Sequence, residues 1–395
     1  MKKILTLLLA TLLLVSLFAG CTGDPDNETI PEPSTPTGSA PNDTPAQNSP
    51  PPGNSGSTDA GGTGETSVET LHIVLSIPLA SSAYWTGVAY GVQTAVDEIN
   101  AATPGAIQYN FFDPGNFELE TQLKNIENAL ALGVDGMVVA PNDVNGTVPA
   151  IEMAYAQGMP IFTVDVYANT DKVLIGYCTF NENAGASNAH KMAELIKEKN
   201  GDYVGKVAMI LGRANISSHI ARVKGFKDTM AANYPNIEII FEQFIEKNED
   251  SLQKAEDALV MNPKIDGFFG TGDTVANLIC QAIDQQNRFK PIGDPDRIIV
   301  VGFDGNDEGV TNIRNGRQDA TIAQNPIEMG KLTLRALYNY LRDGSLPIAP
   351  GSGGGEFGNL IEVPHFPLDY KNVDSPEAEF FLWSQEVKGA EIRLD

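Results

Sequence analysis

The feature that most constrains this chain is a regular alternation of short apolar runs with longer segments of helical spacing, which continues over residues 71–341. Residues 136–140 are typical of the short runs, because they include no charged side chain. Residues 84–99 are typical of the longer segments, because their apolar side chains recur every three to four positions. Uncharged strands that alternate with helices indicate a parallel sheet covered on both faces. Roughly 250 residues of this pattern exceed one sheet, so we predict an α/β fold of two doubly wound parallel-sheet lobes.

Composition excludes several classes of partner. The 395 residues include 26 Lys+Arg against 51 Asp+Glu, a formal net charge of −25, which disfavours nucleic acid and anionic lipid as ligands. Three Cys are too few for a disulfide scaffold, and we expect Cys178 and Cys280 to be small buried hydrophobes. With four His and no calcium-type loop, no metal or cofactor is expected.

The N-terminus indicates the compartment. Lys2 and Lys3 precede an uncharged, Leu-rich stretch at 4–20, which is typical of a signal peptide. The stretch ends in LFAG followed by Cys21, which resembles the lipobox of bacterial lipoproteins but has Phe18 in place of the usual Leu. We therefore predict a lipoprotein signal peptide at 1–20 and lipidation of Cys21, which would hold the protein outside the cytoplasm on the cell membrane. An ordinary signal peptide or an anchor helix is the alternative.

A low-complexity segment follows. Residues 21–70 are rich in Pro, Gly, Ser and Thr and have almost no large apolar side chains. Such a segment buries too little surface to offset the entropy of ordering, so we expect a disordered tether.

Polar and aromatic residues recur where the predicted strands end, with one Arg near a helix start. The candidate binding residues are Ser82, Tyr84, Trp85, Asn142, Asp165, Arg222, Gly272, Asp273, Asp304 and Gln324. In open α/β sheets ligands bind beyond the carboxyl ends of the strands. Carboxylates accept paired hydroxyl groups, Arg donates as a rigid fork, and aromatic faces stack on sugar rings, which is the chemistry of a polyol site. Several of these residues also have a structural alternative: Asp165, Asp273 and Asn142 as turn or cap residues, the two aromatics as core residues and Arg222 as a surface charge.

Two blocks carry a specific resemblance: residues 300–305, with the sequence VVGFDG, and residues 320–326, with the sequence ATIAQNP. With them, the stretch 71–344 resembles the ribose-type periplasmic sugar-binding proteins, a branch of the type I solute-binding family. The resemblance implies two lobes joined by three crossovers near 179–180, 324–325 and about 348–356. The N-terminal lobe would then comprise 71–179 plus about 325–350, and the C-terminal lobe 180–324 plus about 351–395.

The resemblance also implies roles for six side chains. The matched positions are Tyr84 and Trp85 as the sugar-sandwiching aromatics, Asp165, Arg222 and Asp304 as sugar contacts, and Gln324 on the hinge side. The sequence departs from the ribose pattern at four positions: Ser82, Ala140, Val166 and Gly272. Because three amides and one guanidinium are lost, we expect a ligand other than ribose. Another pentose, a hexose, a modified sugar and a less polar ligand stay open.

These observations predict a monomeric sugar-binding lipoprotein of an ABC importer, which would present its ligand to a membrane permease. One alternative is a receptor that reports ligand to a chemoreceptor or histidine kinase. A second is a glycoside-processing enzyme, because such enzymes use two carboxylates in one cleft, although no hydrolase or phosphate-loop motif is present. The lac-type repressors share the fold but carry a DNA-binding module where this chain has its signal and tether. The tail 345–395 is either a final strand and helix packed on one lobe or a partner surface.

Overall fold

The computed structural model describes residues 69–112, 116–214, 216–388 and 393. The predicted signal peptide, the predicted lipidation site Cys21 and all but the last two residues of the predicted tether lie outside these ranges. Within them, no helix has both the length and the apolar character that crossing a membrane requires.

Strands and helices alternate along the described chain. The strands are β1 (Leu71–Ser76), β2 (Ile107–Phe112), β3 (Gly136–Val139), β4 (Ile161–Val164), β5 (Gly176–Cys178), β6 (Gly205–Leu211), β7 (Ile237–Phe244), β8 (Gly267–Gly270), β9 (Ile299–Asp304), β10 (Ala320–Ala323), β11 (Leu360–Glu362) and β12 (Phe366–Asp369). The α-helices are α1 (Ala83–Ala102), α2 (Leu119–Ala131), α3 (Val148–Ala156), α4 (Asn181–Asn200), α5 (Ser217–Asn233), α6 (Asp250–Met261), α7 (Asp273–Gln285), α8 (Asp307–Arg314), α9 (Pro326–Asp343) and α10 (Ser384–Val387), with a 3₁₀ helix at Pro376–Phe381.

These strands form two six-stranded sheets, as the two-lobed prediction requires. The first has the order β11-β5-β4-β3-β1-β2 and is parallel throughout. The second has the order β12-β10-β9-β8-β6-β7 and is parallel except at its edge, where β12 runs antiparallel to β10. Every residue of β3, β4, β8 and β10 is buried, because helices cover both faces of each sheet.

The chain passes between the sheets three times. The first passage follows β5 and the second follows β10, near the expected positions. The third was expected at about 348–356, and there the expectation is wrong. Leu360–Glu362 pairs with β5 in the first sheet, so the third passage lies at 363–365, and residues 351–362 belong to the first lobe rather than the second.

The tail after β12 contacts both lobes. Trp383 is fully buried in the hydrophobic cluster of the first lobe. Phe381, two residues earlier, lies in a cluster of the second lobe and stacks on Phe366 of β12, with ring centroids 5.2 Å apart. The tail is therefore neither a terminal element of one lobe nor a free surface segment. Cys178 and Cys280, expected to be unbridged, are both buried free thiols.

Candidate functional site

The carboxyl ends of both sheets bring side chains from the two lobes together. In the first lobe, the Tyr84 hydroxyl on α1 donates a hydrogen bond to Asp165 Oδ1 at 2.7 Å, just after β4. Trp85 packs edge-to-face on Tyr84, with ring centroids 5.4 Å apart. Burial raises the pKa of Asp165, and the nearby Arg222 guanidinium of the second lobe opposes that shift. Burial and the Asp165 charge together raise the pKa of Tyr84 well above its usual range, so its hydroxyl stays protonated and able to donate.

In the second lobe, Arg222 is the residue to which several other polar groups at the cleft are bonded. Its Nη1 donates to the Thr271 carbonyl oxygen at 2.9 Å and to Asp304 Oδ1 at 3.3 Å. Its Nε donates to Asn181 Oδ1 at 2.7 Å, and its guanidinium lies 3.7 Å over the Phe303 ring. These contacts fix the orientation of a side chain that is otherwise long and mobile.

The close crossing of α4 and α5 sets the position of Arg222. A Cβ at Gly185 would lie 2.2 Å from the Arg222 carbonyl oxygen, and one at Gly225 would lie 1.9 Å from the Glu182 carbonyl oxygen. Two glycines therefore let the helix backbones touch, which brings the start of α5 against the cleft.

Asp304 joins the same cluster from the end of β9. Gln324 Nε2 donates to Asp304 Oδ1 at 2.8 Å. Burial raises the pKa of Asp304 to about 6, and the Arg222 charge limits the rise. The next residue after Gln324 is Asn325, whose side chain accepts the Glu328 backbone N–H at 2.9 Å and caps α9. The block at 320–326 thus ends a strand, places an amide on the cluster and starts a helix.

Both carboxylates have an unusual backbone. Asp165 has φ of 63° and Asp304 has φ of 105°, conformations that L-residues rarely adopt. Each costs about 1–3 kcal/mol, and such residues are concentrated at functional sites. The strain supports a role in binding for both.

Asp273 is a correction to the sequence prediction, which placed it toward the ligand. Its carboxylate is fully buried and accepts the backbone N–H groups of Gly305 at 2.8 Å and Asn306 at 3.1 Å, together with Gln318 Nε2 at 2.9 Å. Burial raises its pKa to about 7, and the Asp304 charge adds to the rise. Asp273 therefore holds the loop that follows Asp304 at the end of β9.

Three further candidates occupy supporting positions. Ser82 caps α1 through its carbonyl, which accepts the Thr86 backbone N–H at 2.9 Å. Gly272 precedes α7, and a Cβ there would lie 3.2 Å from Asp304 Oδ2, so the missing side chain leaves that oxygen accessible. Asn142 donates from Nδ2 to the Glu118 carbonyl oxygen at 3.1 Å, which places its amide at the start of α2, away from the Arg222 cluster.

The residue that sequence reasoning missed is Trp383. Its indole Nε1 donates to the Asp304 carbonyl oxygen at 3.1 Å, and its ring meets the Tyr84 ring edge-on, with centroids 6.0 Å apart. It thus contacts a site residue of each lobe. The aromatic run at 380–383 was visible in the sequence, but nothing local to it indicates that it returns to the cleft.

A cavity of about 570 Å³ lies beside this cluster, on the side of the first crossover. Asp165 and Asn181, which bond to Tyr84 and Arg222, both line it, and so does Phe357 from the segment before β11. Within the described residues, no set of three His, Cys, Asp or Glu side chains is arranged to hold a metal ion.

Comparison with known proteins identifies the family. Residues 73–345 match the family model described as periplasmic binding protein domain. The chain is 28% identical over 219 residues to the ribose import binding protein RbsB of Bacillus subtilis (strain 168), covering 54% of this chain and 66% of that protein, or about two thirds of its length. It is 26% identical over 274 residues to the D-allose-binding periplasmic protein of Escherichia coli (strain K12), covering 67% and 83%.

A solved structure supports the fold independently. The carbohydrate transporter solute binding protein from Agrobacterium radiobacter, in complex with D-arabinose, matches with a TM-score of 0.70 at 20% identity, covering 80% of this chain and 100% of that one. The names of these proteins describe binding proteins and transporter components rather than glycoside-processing enzymes. With the family model spanning most of both lobes, the chain belongs to the periplasmic binding protein domain family.

Proposed function

We propose that this protein is the extracytoplasmic receptor of an ABC importer, which captures a monosaccharide or small saccharide between two closing lobes. Acyl chains on Cys21 would hold it at the membrane, and the closed form would be the one presented to the permease. Relatives whose names specify ribose and D-allose support a sugar ligand, and the departures at Ser82, Val166 and Gly272 favour one other than ribose.

The observation that carries the proposal is the set of unused polar atoms where the lobes meet. In the described structure, Oδ1 of Asp165 and Oδ1 of Asp304 accept hydrogen bonds from protein groups, whereas Oδ2 of each has no such partner. Arg222 likewise uses Nε and Nη1 on protein atoms and has Nη2 left over. One carboxylate oxygen from each lobe can therefore accept a hydrogen bond from a sugar hydroxyl, while Arg222 Nη2 donates to another oxygen of the sugar.

Such a ligand would drive closure. Because Asp165 belongs to the first lobe and Arg222 and Asp304 to the second, a sugar bound to all three gains its full set of hydrogen bonds only when the lobes are together. A ligand that binds one state better shifts the population toward that state. Closure then reports occupancy to the permease.

Binding is tested by thermal-shift screening of the full chain against a sugar library, followed by calorimetry, since a ligand stabilises the fold that binds it. Asp304→Asn should weaken binding about 10–100-fold, because a hydrogen bond to a charged group contributes about 1.5–3 kcal/mol. The exposed Asp296→Asn serves as the control and should bind as wild type does. A library in which no saccharide shifts the melting temperature, or equal affinities for the two variants, would refute the proposal.

The anchor is tested separately in cells supplied with a labelled fatty acid. The wild-type protein should carry the label and sediment with membranes. The Cys21→Ser variant should carry no label and lose membrane retention, since Cys21 is the only Cys in the N-terminal 177 residues. Labelling that survives the substitution would place the lipid elsewhere.

A further inference from the structure

The cavity lies beside the polar cluster formed by Tyr84, Asp165, Arg222, Asp304 and Gln324. It is larger than a single sugar ring between Asp165 and Asp304 would need, and it lies to one side of that position. Its volume of about 570 Å³ corresponds to roughly 19 water volumes at ~30 Å³ each. Among the ten predicted binding residues, all of which the structure describes, only Asp165 reaches its wall. The cavity therefore extends the site from Asp165 toward the first crossover.

Residues 355–357, 359 and 360 form part of the cavity wall, and they belong to a Gly-rich segment whose role the amino-acid pattern did not indicate. Gly351, Gly355 and Gly358 have φ between 63° and 77°, and the Gly353 N–H donates to the Gly358 carbonyl oxygen at 2.8 Å. This tight loop leads into β11, and its side chain Phe357 lines the cavity. The glycines thus fold a loop whose position matters to the site.

Two other residues that line the cavity, Thr179 and Ser217, have buried hydroxyl oxygens with no hydrogen-bond partner in the described structure. A hydroxyl can donate or accept, so a side-chain rotation that turns either oxygen into the cavity would let it pair with a ligand. Buried polar groups normally have a hydrogen-bond partner. Two hydroxyls without one beside the same cavity suggest that a bound ligand supplies the partner.

The charges on the wall define the class of that group. Asp165, Glu182 and Glu356 line the cavity, whereas no Lys or Arg does so among the described residues. An anionic group such as a phosphate or a uronic acid would meet like charge without a counter-ion. Phe180 and Phe357 add aromatic surface of the kind that packs on the C–H faces of sugars.

We propose that this cavity is a second subsite, which takes a neutral sugar unit linked to the one held at Asp165 and Asp304. The proposal rests on the function proposed above and makes its ligand more specific: a neutral disaccharide rather than a free monosaccharide. The linkage would pass Asn181, and the second unit would pack on Phe357 while its hydroxyls pair with Thr179 and Ser217.

The test uses the full chain and calorimetry with two matched series: D-galactose with lactose and melibiose, and D-glucose with maltose and cellobiose. At least one disaccharide should bind tenfold or more tightly than its constituent monosaccharide. Phe357→Ala should lower the disaccharide affinity about tenfold and leave the monosaccharide affinity within twofold, and Phe357→Leu should have a smaller effect. Phe244→Ala is the control, because Phe244 is half exposed on β7 and does not line the cavity.

The outcomes separate the two proposals. If a monosaccharide binds and no disaccharide binds more tightly, the second subsite is refuted and the receptor proposal stands. Equal weakening of both ligands by Phe357→Ala also refutes the subsite. If no sugar of either series binds, the second subsite is refuted, and the receptor proposal fails only if the whole sugar library also gives no binding. Melting curves of each variant show whether a loss of affinity reflects unfolding, and Phe357→Leu, which retains most of the apolar volume, supplies the answer if Phe357→Ala does not fold.

Discussion

Replacing Trp383 by Phe tests whether the tail takes part in lobe closure. Trp383 lies in the hydrophobic cluster of the first lobe, yet its indole N–H donates to the Asp304 carbonyl oxygen in the second, at 3.1 Å. Phe keeps an aromatic ring beside Tyr84 and removes the donor. The substitution should therefore destabilise the arrangement with the lobes together more than the arrangement with the lobes apart.

The expected loss of affinity in Trp383→Phe follows from the free energy of one hydrogen bond. A neutral hydrogen bond contributes about 0.5–1.5 kcal/mol net. If the Trp383–Asp304 bond forms only with the lobes together, its loss lowers the closed population about 2- to 13-fold relative to the open one. The apparent dissociation constant for the cognate sugar should rise by the same factor, with a larger rise for Trp383→Ala, which also leaves a core cavity.

Calorimetry gives the affinity, and stopped-flow fluorescence gives the dissociation rate, with Trp85 as the sole remaining tryptophan in Trp383→Phe. Phe380→Leu is the control, since Phe380 is half exposed on the same tail segment. The reasoning is refuted if Trp383→Phe binds the sugar as tightly as wild type, or if its melting temperature falls while its affinity is unchanged. Either result would make Trp383 a core residue of one lobe only.

Three further predictions concern the polar cluster. Because burial raises the pKa of Asp304 to about 6, above ~3.9 in an unfolded chain, the native state binds the proton more tightly. The free energy of unfolding should therefore fall as pH rises from about 4 to about 6 in urea titrations, and less so in Asp304→Asn. Gly185→Ala should lower that free energy by about 1–3 kcal/mol and weaken sugar binding, because its Cβ would strike the Arg222 backbone. Arg222→Lys should weaken binding about tenfold in calorimetry, because an ammonium cannot replace the fork, whereas the half-exposed Arg314→Lys should not.

Contrary outcomes are equally specific. An unchanged pH slope in Asp304→Asn would mean that another carboxyl dominates the titration. Full stability of Gly185→Ala would mean that α4 and α5 can separate without cost. Wild-type affinity in Arg222→Lys would leave Arg222 as a structural residue that supports Asn181 and Asp304 without contacting the ligand.

The two-lobed fold could be predicted because its strongest signals are local. Fully buried strands such as β3 and β8 are short uncharged runs, and the helices between them are long enough to show their period. β5 and β11 were missed for the opposite reason. Each has three residues, too few for a period to appear, and their pairing depends on a partner far away in the chain. The third crossover was therefore misplaced.

The site residues, too, could be predicted where a general rule applied and were missed where distant segments meet. Tyr84, Asp165, Arg222, Asp304 and Gln324 come together because parallel strands place their carboxyl ends at one edge, which is a rule of topology. Their contact with a ligand stays a prediction.

Asp273 shows the limit of that rule. A residue just beyond a strand can face the ligand or hold a neighbouring loop, and only the positions of the Gly305 and Asn306 N–H groups decide between them. Trp383 was beyond reach, since its partners lie about 80 and 300 positions earlier in the chain.

The discontinuous first sheet has a consequence for biosynthesis. β5 ends at Cys178, but its edge partner β11 begins at Leu360, and α9, which packs against α1, is also translated late. At about 5–20 residues per second, a ribosome needs roughly 10–40 s to cover that gap. During this interval the nascent first lobe has an unpaired strand edge and an uncovered apolar helix face, so it cannot complete its fold. A chain built in this order therefore stays accessible to holding chaperones until β11 has been made.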